Sequence, residues 1–463
     1  MNYERSREKK GVILMRLMMF TVMLSSLNAL MFHVVIPEIS EEFNLTLAQV
    51  SWLASAYTII YAFGTVTYGK LSDRFQLKTL LTFGLSLFAI GSLIGFLSPS
   101  FWVALIGRCL QSAGAASVPA ISLIIPVKYF APEKRGSALS MTPVGVALGS
   151  ALSPVISALI VSFANWRWLF LPSLLILALL PVYRKLLEHE PNTNSQKPFD
   201  WIGGFLLAVS ISLLLLGVTN QEWFYLPFGL LTFFLFIVRI FTAKEPFIQP
   251  QLLRNKKYTL ALSMSFMISC IGISLFFLTP IMLSEVYLLK SNWIGFAMIP
   301  AALTAAILGK KGGKLADRKG NNYLFSVASS CLLTCFILLS IFTGDLLFLI
   351  PAFLIFGHVG QSFIQIAMSN SISRTLSKEQ VGVGMGFFSM ANFIAQGIAT
   401  GVYGMIVEQD AVSHWNPLHI SHQGSLFSNI YLTLAGLHVV ILLMYHLYLH
   451  PINSNYSARY SKS

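Results

Sequence analysis

The residues that could do chemistry in this sequence are ionisable side chains that lie inside long apolar runs. An ionised side chain in the hydrocarbon of a bilayer costs at least ~2.5–3.5 kcal/mol on insertion scales, so each is a functional candidate. Arg108 is the clearest case, because it lies well inside the apolar run at about residues 100–126. It either takes part in charge movement or serves as a hydrogen-bond hub for backbone carbonyls. Arg239 lies near the end of its run, where a snorkelling side chain explains it.

Two other titratable groups lie at the ends of apolar runs. The ordinary pKa of histidine, near 6.5, suits pH-linked switching, so His33 is a candidate proton carrier. A neutral histidine hydrogen-bonded between helices fits the same position equally well. Glu285 is either a point where protons or cations enter or an interfacial charge. In a further run, an i, i+3, i+7 spacing places His358, Gln361 and Gln365 on one helix face, towards a cavity.

Several kinds of chemistry have no residues to support them in this sequence. No Asp or Glu lies in the middle of an apolar run, and neither a nucleotide-binding P-loop nor an H-E-x-x-H zinc motif occurs. The four cysteines lie in apolar runs without histidine or carboxylate ligands nearby, and we interpret them as core residues. We therefore expect no metal site, no cofactor and no bound nucleotide, and we expect that the chain is not an enzyme.

The composition indicates what kind of structure must hold these candidate residues in position. Of the 463 residues, 55% are hydrophobic and 11% are charged, whereas a soluble domain carries about 25% charged residues. Such a composition cannot cover a water-facing surface, and stretches of ~20 apolar residues span a bilayer. A soluble multidomain enzyme, a nucleic-acid-binding protein and a disulfide scaffold are therefore excluded.

The hydropathy predicts an all-α integral membrane protein with fourteen transmembrane helices, grouped as six, two and six. The predicted helices occupy residues 12–37, 47–68, 79–97, 100–126, 138–163, 167–184, 200–218, 223–242, 257–284, 292–309, 322–343, 346–370, 381–406 and 427–449. The predicted units are a tail at 1–11, a six-helix bundle at 12–184, a loop at 185–199, two additional helices at 200–242, a loop at 243–256, a second six-helix bundle at 257–449 and a tail at 450–463.

The positive charges predict the orientation in the membrane. With the N-terminus inside, nearly all loop Lys and Arg residues fall in inward-facing loops, whereas the outward loops hold mainly acidic residues. Both basic tails are then cytoplasmic, and the chain is a multi-pass protein of the cell membrane. The net charge of +13 is on this interpretation a topology signal and not a nucleic-acid-binding patch. The first apolar run continues to Ile36, which is too long for a cleaved signal peptide.

One six-residue sequence occurs twice, as GKLSDR from Gly69 and as GKLADR from Gly313. Each copy lies in an inward loop after the second helix of its six-helix group. Such a repeat indicates two pseudo-symmetric bundles around a central path, the construction of many secondary transporters. Glycine permits close helix approach, aspartate accepts hydrogen bonds at a helix N-terminus, and arginine pairs with a carboxylate. We expect a conformational switch at Gly69, Asp73, Arg74, Gly313, Asp317 and Arg318.

The two copies resemble the signature loop of the major facilitator superfamily, G-x-L-[AS]-D-R-x-G-[RK], although Gln76 replaces the second glycine of the first copy. Three further residues are similar to the family pattern R-x-x-Q-G-x-G: Arg108, Gln111 and Gly114. The segment NALMFHVVIP at 28–37 resembles the first helix of fourteen-helix drug:proton antiporters. Within that branch the layout is closest to tetracycline efflux proteins of Gram-positive type.

The fifth predicted helix departs from the antiporter pattern G-x-x-x-G-P-x-x-G-G. It keeps the proline but carries other small residues where glycine is usual, so close helix packing is still expected. The positions of this helix-packing motif are Gly149, Ser153, Pro154 and Ser157.

The resemblance implies a proton-driven exporter of hydrophobic or amphipathic drugs, of multidrug or tetracycline type, that works by alternating access. It implies a role in proton coupling for Arg108, and we expect His33 and Glu285 to be its titratable partners. Many multidrug relatives have aspartate where this chain has Asn28. The expected substrate cavity includes Asn28, Gln111, His358, Gln361 and Gln365.

Two other functions remain open at this point. One is a proton-coupled transporter of an endogenous metabolite, and the more remote one is a membrane-embedded enzyme. The expected partners are small-molecule drugs, protons and membrane lipid, with no nucleic acid and no nucleotide. The sequence does not indicate an oligomeric state.

Overall fold

The computed structural model of the chain describes residues 2–45, 47–50, 52–72, 74–131, 134–187, 200–219, 223–244, 246–248, 250–289, 291–377, 380–408, 415–421 and 423–449. Asp73 lies outside these residues, as do the tail at 450–463 and most of the predicted loop at 185–199. For His33 and Pro154 the backbone is described but the side chain is not.

The described residues of the first half of the chain form ten α-helices. They are α1 (Asn2–Met31), α2 (Ile36–Phe43), α3 (Leu47–Val50), α4 (Trp52–Leu71), α5 (Leu77–Phe96), α6 (Phe101–Ala115), α7 (Ser117–Tyr129), α8 (Arg135–Leu139), α9 (Met141–Phe163) and α10 (Ile176–Leu186). Two 3-10 segments, Phe32–Val35 and Trp166–Leu175, precede α2 and α10. The predicted span at 100–126 is thus formed by α6 and α7, which join at Ala116.

The second half continues with an inserted pair of helices and a second group. The inserted pair is α11 (Trp201–Thr219) and α12 (Tyr225–Thr242). The second group is α13 (Pro250–Arg254), α14 (Lys256–Gly272), α15 (Ser274–Glu285), α16 (Ser291–Lys319), α17 (Asn321–Phe342), α18 (Ile350–Arg374), α19 (Val381–Glu408) and α20 (Ser425–Met444), with a 3-10 turn at Leu347–Leu349 and a π-helical turn at Tyr445–Leu449. The described residues contain helices and turns but no β-strand.

Eleven candidate membrane spans, some formed by two consecutive helices, are long and apolar enough to cross a membrane in the described part of the chain. The sequence predicts three more spans, and these coincide with α4, α9 and α11, which lie outside the eleven. The all-helical membrane architecture is therefore confirmed, whereas the count of fourteen spans stays a prediction.

Glycine residues allow pairs of helices to pack closely in both halves of the chain. A Cβ added at Gly91 of α5 would lie 2.6 Å from the carbonyl oxygen of Gly107 on α6. On α18, a Cβ at Gly360 would lie 2.8 Å from the carbonyl oxygen of Ala328 on α17. Small residues at these contacts let the two backbones approach within van der Waals distance, the main source of helix association in lipid.

The fifth-helix motif packs along α1. A Cβ added at Gly149 of α9 would clash with the backbone of α1, at Met23 and Leu27. Further along α9, the Ser153 hydroxyl donates to the carbonyl oxygen of Leu27 at 3.1 Å, and the Ser157 hydroxyl donates to that of Met31 at 3.0 Å. Serine at these two positions therefore keeps the helices close and adds an interhelical hydrogen bond at each.

The inserted pair is anchored at its base by Asp200, which is 7% exposed. Its carboxylate accepts hydrogen bonds from the backbone N–H groups of Gly203 and Phe247 and pairs with the Arg239 guanidinium at 3.1 Å. The interpretation of Arg239 as a simple snorkelling side chain was incomplete, because its charge is used in this ion pair. The anchor holds α11 and α12 to the segment that leads into the second group.

A cap formed by α2 and α3 covers one end of the first group. Beneath it lies a cluster of buried apolar side chains that includes Phe32, Ile39 and Trp166. Glu42 holds the cap in place: its Oε2 accepts from Nε1 of Trp166 at 2.6 Å and its Oε1 from Nη2 of Arg167 at 2.7 Å. The hydrogen bond from Arg167 lowers the pKa of Glu42 below its ordinary value, and that from Trp166 acts in the same direction.

The contact between Glu42 and Arg167 should make the folded protein less stable as the pH falls into the acidic range. A carboxyl group whose pKa is lower in the folded state stabilises above its ordinary pKa and loses this effect as the pH falls through the folded pKa. We expect Glu42→Gln to lower the stability by about 0.2–1 kcal/mol near neutral pH, the range for exposed ion pairs. Thermal unfolding in detergent at several pH values measures the difference, which should shrink below about pH 4.

Glu41→Gln is the matched control, because Glu41 is exposed and has no ion pair within the described residues. A difference between Glu42→Gln and the unmodified chain that stays constant down to pH 3 would contradict the role given to the Glu42–Arg167 pair.

Candidate functional site

Arg108 on α6 is fully buried and connects three helices of the first group. Its Nη1 donates to Oδ1 of Asn28 on α1 and to Oε1 of Gln111, one turn further along α6, both at 2.8 Å. Its Nε donates to the carbonyl oxygen of Leu53 on α4 at 3.4 Å. Hydrogen bonds from a charged group contribute about 1.5–3 kcal/mol each, so the guanidinium holds α1, α4 and α6 in register.

The two amides that accept from Arg108 are themselves held by serine hydroxyls. Nδ2 of Asn28 donates to Oγ of Ser173 at 2.7 Å, in the 3-10 segment before α10. Nε2 of Gln111 donates to Oγ of Ser92 on α5 at 2.8 Å and to Ser173 at 3.2 Å. We call Arg108, Asn28, Gln111, Ser92 and Ser173 the Arg108 network. All five side chains are buried, so the network fixes the orientation of each amide.

Aromatic rings cover the guanidinium and lead away from it. The Cζ of Arg108 lies 4.2 Å from the ring centroid of Phe32 and 4.1 Å from that of Tyr57, and a buried cation–π contact contributes about 2 kcal/mol. Tyr57 stacks on Tyr61 at 5.8 Å, and Tyr61 meets Phe393 of α19 edge-on at 4.8 Å. We call Tyr57, Tyr61 and Phe393 the aromatic ladder, which crosses from the first group of helices to the second.

A second polar cluster lies beside the far end of this ladder. Oδ1 of Asn392, next to Phe393 on α19, accepts from the hydroxyls of Ser265 and Ser269 on α14, both at 3.0 Å. Gln365 on α18 reaches Ser269 at 3.5 Å. These four residues form the Asn392 cluster, which joins α14, α18 and α19 by neutral groups.

The rest of the predicted stripe on α18 lies against α14 and α15. The ring of His358 packs on that of Phe276 with centroids 4.6 Å apart, and its Nε2 is buried without a hydrogen-bond partner in the described part of the chain. The amide of Gln361 packs against Gly272, where a Cβ would collide with it. Of the three stripe residues, Gln361 and Gln365 are partly exposed and His358 is buried.

The two groups of helices meet closely at the end of the molecule where the repeated sequences lie, which we call the repeat end. A Cβ added at Gly69 of α4 would lie 2.5 Å from the carbonyl oxygen of Gly382 on α19 and 2.9 Å from Cα of Gly386. A Cβ at Gly313 of α16 would lie 2.7 Å from the carbonyl oxygen of Gly136 on α8. The first glycine of each copy therefore touches the backbone of the opposite group.

Asp317 adds hydrogen bonds to the contact between Gly313 and Gly136. Its two carboxylate oxygens accept from the backbone N–H groups of Gly136 and Ser137, each at 2.9 Å. The positive charge of Arg374 on α18 acts on the same carboxylate. Asp317 therefore satisfies free donors at the start of α8 with a charged acceptor from the other group of helices.

The structure places the other predicted residues apart from the Arg108 network. Glu285 is exposed at the end of α15, and no described contact links it to Arg108. Arg74 and Arg318 are exposed near the repeat end. The side chains of His33 and Asp73 lie outside the described residues. Within the described residues, no group of three or more His, Cys, Asp or Glu side chains could hold a metal ion.

Sequence reasoning missed five residues of the two polar clusters: Ser92, Ser173, Ser265, Ser269 and Asn392. A hydroxyl in an apolar helix is a weak signal, because it can bond to the carbonyl of its own preceding turn. Ser92 does so as well, with the carbonyl oxygen of Phe88 at 2.8 Å. An asparagine in an apolar run is costly without partners, and Asn392 could have been found on that ground.

Comparison with known proteins gives the family. The sequence profile of the Major Facilitator Superfamily matches residues 18–400. The chain is 23% identical over 415 residues to the riboflavin transporter RibZ of Clostridioides difficile (strain 630), covering 87% of this chain and 89% of the relative. It is 27% identical over 310 residues to multidrug resistance protein 3 of Bacillus subtilis (strain 168), covering 64% of this chain and 60% of the relative.

A solved structure shares the fold. The proton:xylose symporter XylE superposes with a TM-score of 0.68 over 96% of this chain and 96% of the symporter, at 13% sequence identity. At this identity the likeness concerns the arrangement of helices alone.

The Asp317 contact leads to a test of the closed repeat end. Asp317→Asn replaces one acceptor by an N–H₂ group and removes the charge, which should cost about 1.5–3 kcal/mol, a tenfold or larger shift towards separated groups. Electron–electron double resonance between spin labels at Thr79 and Lys314 measures the distance across the repeat end. We expect a longer distance to gain population in the variant. Asp345→Asn, an exposed acid elsewhere, is the control, and equal distance distributions in all three proteins would refute the role of Asp317.

Proposed function

The chain belongs to the Major Facilitator Superfamily, and we propose that within this family of transporters it is a proton-driven exporter of hydrophobic or amphipathic drugs, of multidrug or tetracycline type. The proposal places it in the fourteen-helix drug:proton antiporter branch. A relative with a multidrug resistance function supports this assignment, as do the motifs around Asn28 and Arg108.

The observation that carries the proposal is the contact between the two groups of helices at the repeat end. Glycine backbones and one carboxylate hold this end closed, and the contact can break without unpacking either group. Transport by alternating access needs such a reversible closure on each side of a central site. The described contacts between the groups extend from the repeat end to the aromatic ladder at the middle of α4 and α19.

We assign the repeat end to the cytoplasm, because the Lys and Arg residues concentrate in the loops there. The tails are then cytoplasmic, the protein lies in the cell membrane, and the contacts at the repeat end close its cytoplasmic side. The α2–α3 cap with Glu42 lies on the outer side.

The energy for export would come from protons that enter from outside. Arg108 keeps its charge at any accessible pH, so it can act on a proton only by pairing with or repelling a group that titrates. His33 lies five residues after Asn28 in the sequence. Glu285 is exposed at the end of α15. We propose these two as the titratable groups of the cycle, and Asn28, Gln111, His358, Gln361 and Gln365 as residues of the substrate cavity.

A second candidate function is proton-coupled transport of an endogenous metabolite. It is favoured by the similarity to a riboflavin transporter over most of both chains. The serines at 153 and 157, where drug antiporters usually have glycine, are compatible with either function.

A drug-susceptibility panel on a sensitive host tests the proposed function. Expression of this chain should raise resistance to several unrelated hydrophobic compounds, and a proton uncoupler should abolish the increase. Resistance to tetracycline alone would identify a specialist exporter. No change with any compound would refute drug export and favour the metabolite transporter.

The assignment of His33 and Glu285 as the titratable groups predicts that substituting them abolishes proton-driven transport. His33→Ala, Glu285→Gln or the double variant should abolish transport driven by a pH gradient in proteoliposomes, while drug binding remains detectable. The reason is that neither substituted residue can carry a proton across the cycle. Normal gradient-driven transport by both single variants and by the double variant would place the proton site elsewhere.

The repeat predicts the role of Asp73. It follows Gly69 by four residues as Asp317 follows Gly313, and Gly69 contacts Gly382 as Gly313 contacts Gly136. We expect Asp73 to accept hydrogen bonds at the start of α19 in the closed state. Asp73→Asn should then slow transport while drug affinity stays within about threefold, roughly 0.7 kcal/mol. A large loss of affinity with normal turnover, measured by equilibrium binding and initial rates, would contradict this role.

A further inference from the structure

The charge at the centre of the first group has no counter-charge. Arg108 is fully buried, and its described acceptors are two amide oxygens and one backbone carbonyl, all neutral. Its second terminal nitrogen, Nη2, is buried and has no hydrogen-bond partner in the described part of the chain. Buried donors are almost always satisfied in folded proteins. The two N–H groups of Nη2, part of a positively charged group, are therefore left without an acceptor among the described residues.

Carboxylates are placed where they cannot neutralise this charge. All 18 Asp and Glu residues lie at helix ends or in loops of the sequence. Among the described residues, Asp200 is the buried acid, and it is already paired with Arg239 at the base of the inserted helices. Glu42, on the cap, is engaged by Arg167 and Trp166. The interior around Arg108 is thus positive, and a charge in a low-dielectric region is weakly screened.

The aromatic ladder beside Arg108 presents ring faces on which a planar molecule can stack. Tyr57 covers one face of the guanidinium, stacks on Tyr61 and leads through Phe393 to the Asn392 cluster in the second group. The polar groups at that far end are neutral amides and hydroxyls. These aromatic faces can stack on planar molecules, and by themselves they attract cations by about 0.5–2 kcal/mol. A preference for anions would therefore have to come from Arg108.

We propose that Arg108 makes the substrate path selective for anionic over cationic aromatic molecules. The inference deepens the proposed function, and it rests on that function in assuming that the transported molecule passes between the two groups of helices beside the aromatic ladder. Phe32 and Tyr57 cover the guanidinium in this conformation, but its field acts through them. Direct contact with Nη2 adds to the preference when the rings move.

Two xanthene dyes of similar shape and opposite charge test the proposal: fluorescein, an anion, and rhodamine 123, a cation. Fluorescence anisotropy with the purified full-length protein in detergent gives a dissociation constant for each dye. A unit charge within about 10 Å of the guanidinium, at an effective dielectric constant near 20, predicts at least about tenfold tighter binding of fluorescein.

Substitution at Asn28 separates charge from hydrogen bonding. Asn28→Asp places a carboxylate at the position of an oxygen that lies 2.8 Å from Nη1, so the net charge of the site becomes zero. The tenfold preference should then fall to about threefold or less. Asn28→Ala removes the same hydrogen bond without adding charge and should keep the preference. Gln111→Glu introduces the same charge from α6 and serves as a second test should Asn28→Asp fail to fold.

The outcomes are distinct. Fluorescein bound no more tightly than rhodamine 123 by the unmodified protein, including binding of neither dye, overturns the proposal. An equal change of preference in Asn28→Asp and Asn28→Ala also overturns it. Equilibrium binding requires neither a proton gradient nor a direction of transport. A failed susceptibility panel with the expected dye preference therefore refutes drug export alone, whereas successful export with a cation preference refutes the charge selectivity alone.

Discussion

A guanidinium in the membrane interior must be held by polar groups of the protein, because hydrocarbon offers none. Arg108 meets this requirement with acceptors from three elements: Asn28 on α1, Leu53 on α4 and Gln111 on its own helix α6. The amides are oriented in turn by α5 and by the segment before α10. Sliding any of these helices would strip hydrogen bonds from a buried charge. The first group therefore behaves as one body, and movement has to occur at its boundary with the second group.

That boundary is chemically different from the interior of either group. At the repeat end the contacts are backbone on backbone, at Gly69 with Gly386 and at Gly136 with Gly313. The side chains that contact these glycines across the boundary are small, such as Ser140 at Gly313 and Ala316 at Gly136. The carboxylate of Asp317 adds a directional contact that is lost at once when the groups part. A rigid first group and a boundary of backbone contacts are compatible with a rocking movement of the two groups against each other.

Sequence patterns predicted those parts of the structure that depend on local composition. The apolar runs predicted the helices, including the break between the predicted spans 322–343 and 346–370, where α17 ends at Phe342 and Gly344 adopts a positive φ of 87°. The repeated sequence pointed to Gly313 and Asp317, and the structure places both against Gly136 of the first group. Their role in a conformational switch stays a prediction. Contacts between distant segments were not predictable in this way. The pairing of Arg239 with Asp200, 39 residues earlier, needs the hairpin of α11 and α12 to be folded.

The interpretation of polar residues failed for a related reason. An arginine in an apolar run is costly and stands out in the sequence, whereas a serine there can bond to its own helix or to a neighbouring one, and only its partner decides which applies. Ser173 accepts from both Asn28 and Gln111 because the 3-10 segment carries it between α1 and α5. Hydropathy predicts a span at 167–184 but not that its first part is 3-10 helical. Arg108, Asn28 and Gln111 were thus visible in the sequence, and the serines that orient the two amides were not.

Helix α9 connects the two features on which this mechanism depends. On one side, Ser153 holds the carbonyl oxygen of Leu27, the residue before Asn28, and so fixes the segment of α1 that accepts from Arg108. At its other end, α9 begins directly after α8 and Ser140, where Gly313 and Asp317 of the second group make their contacts. A helix held by hydrogen bonds along α1 cannot tilt without moving that segment of α1. Opening of the repeat end is therefore expected to shift the whole first group, with Arg108 and its amides still joined, and not α9 alone.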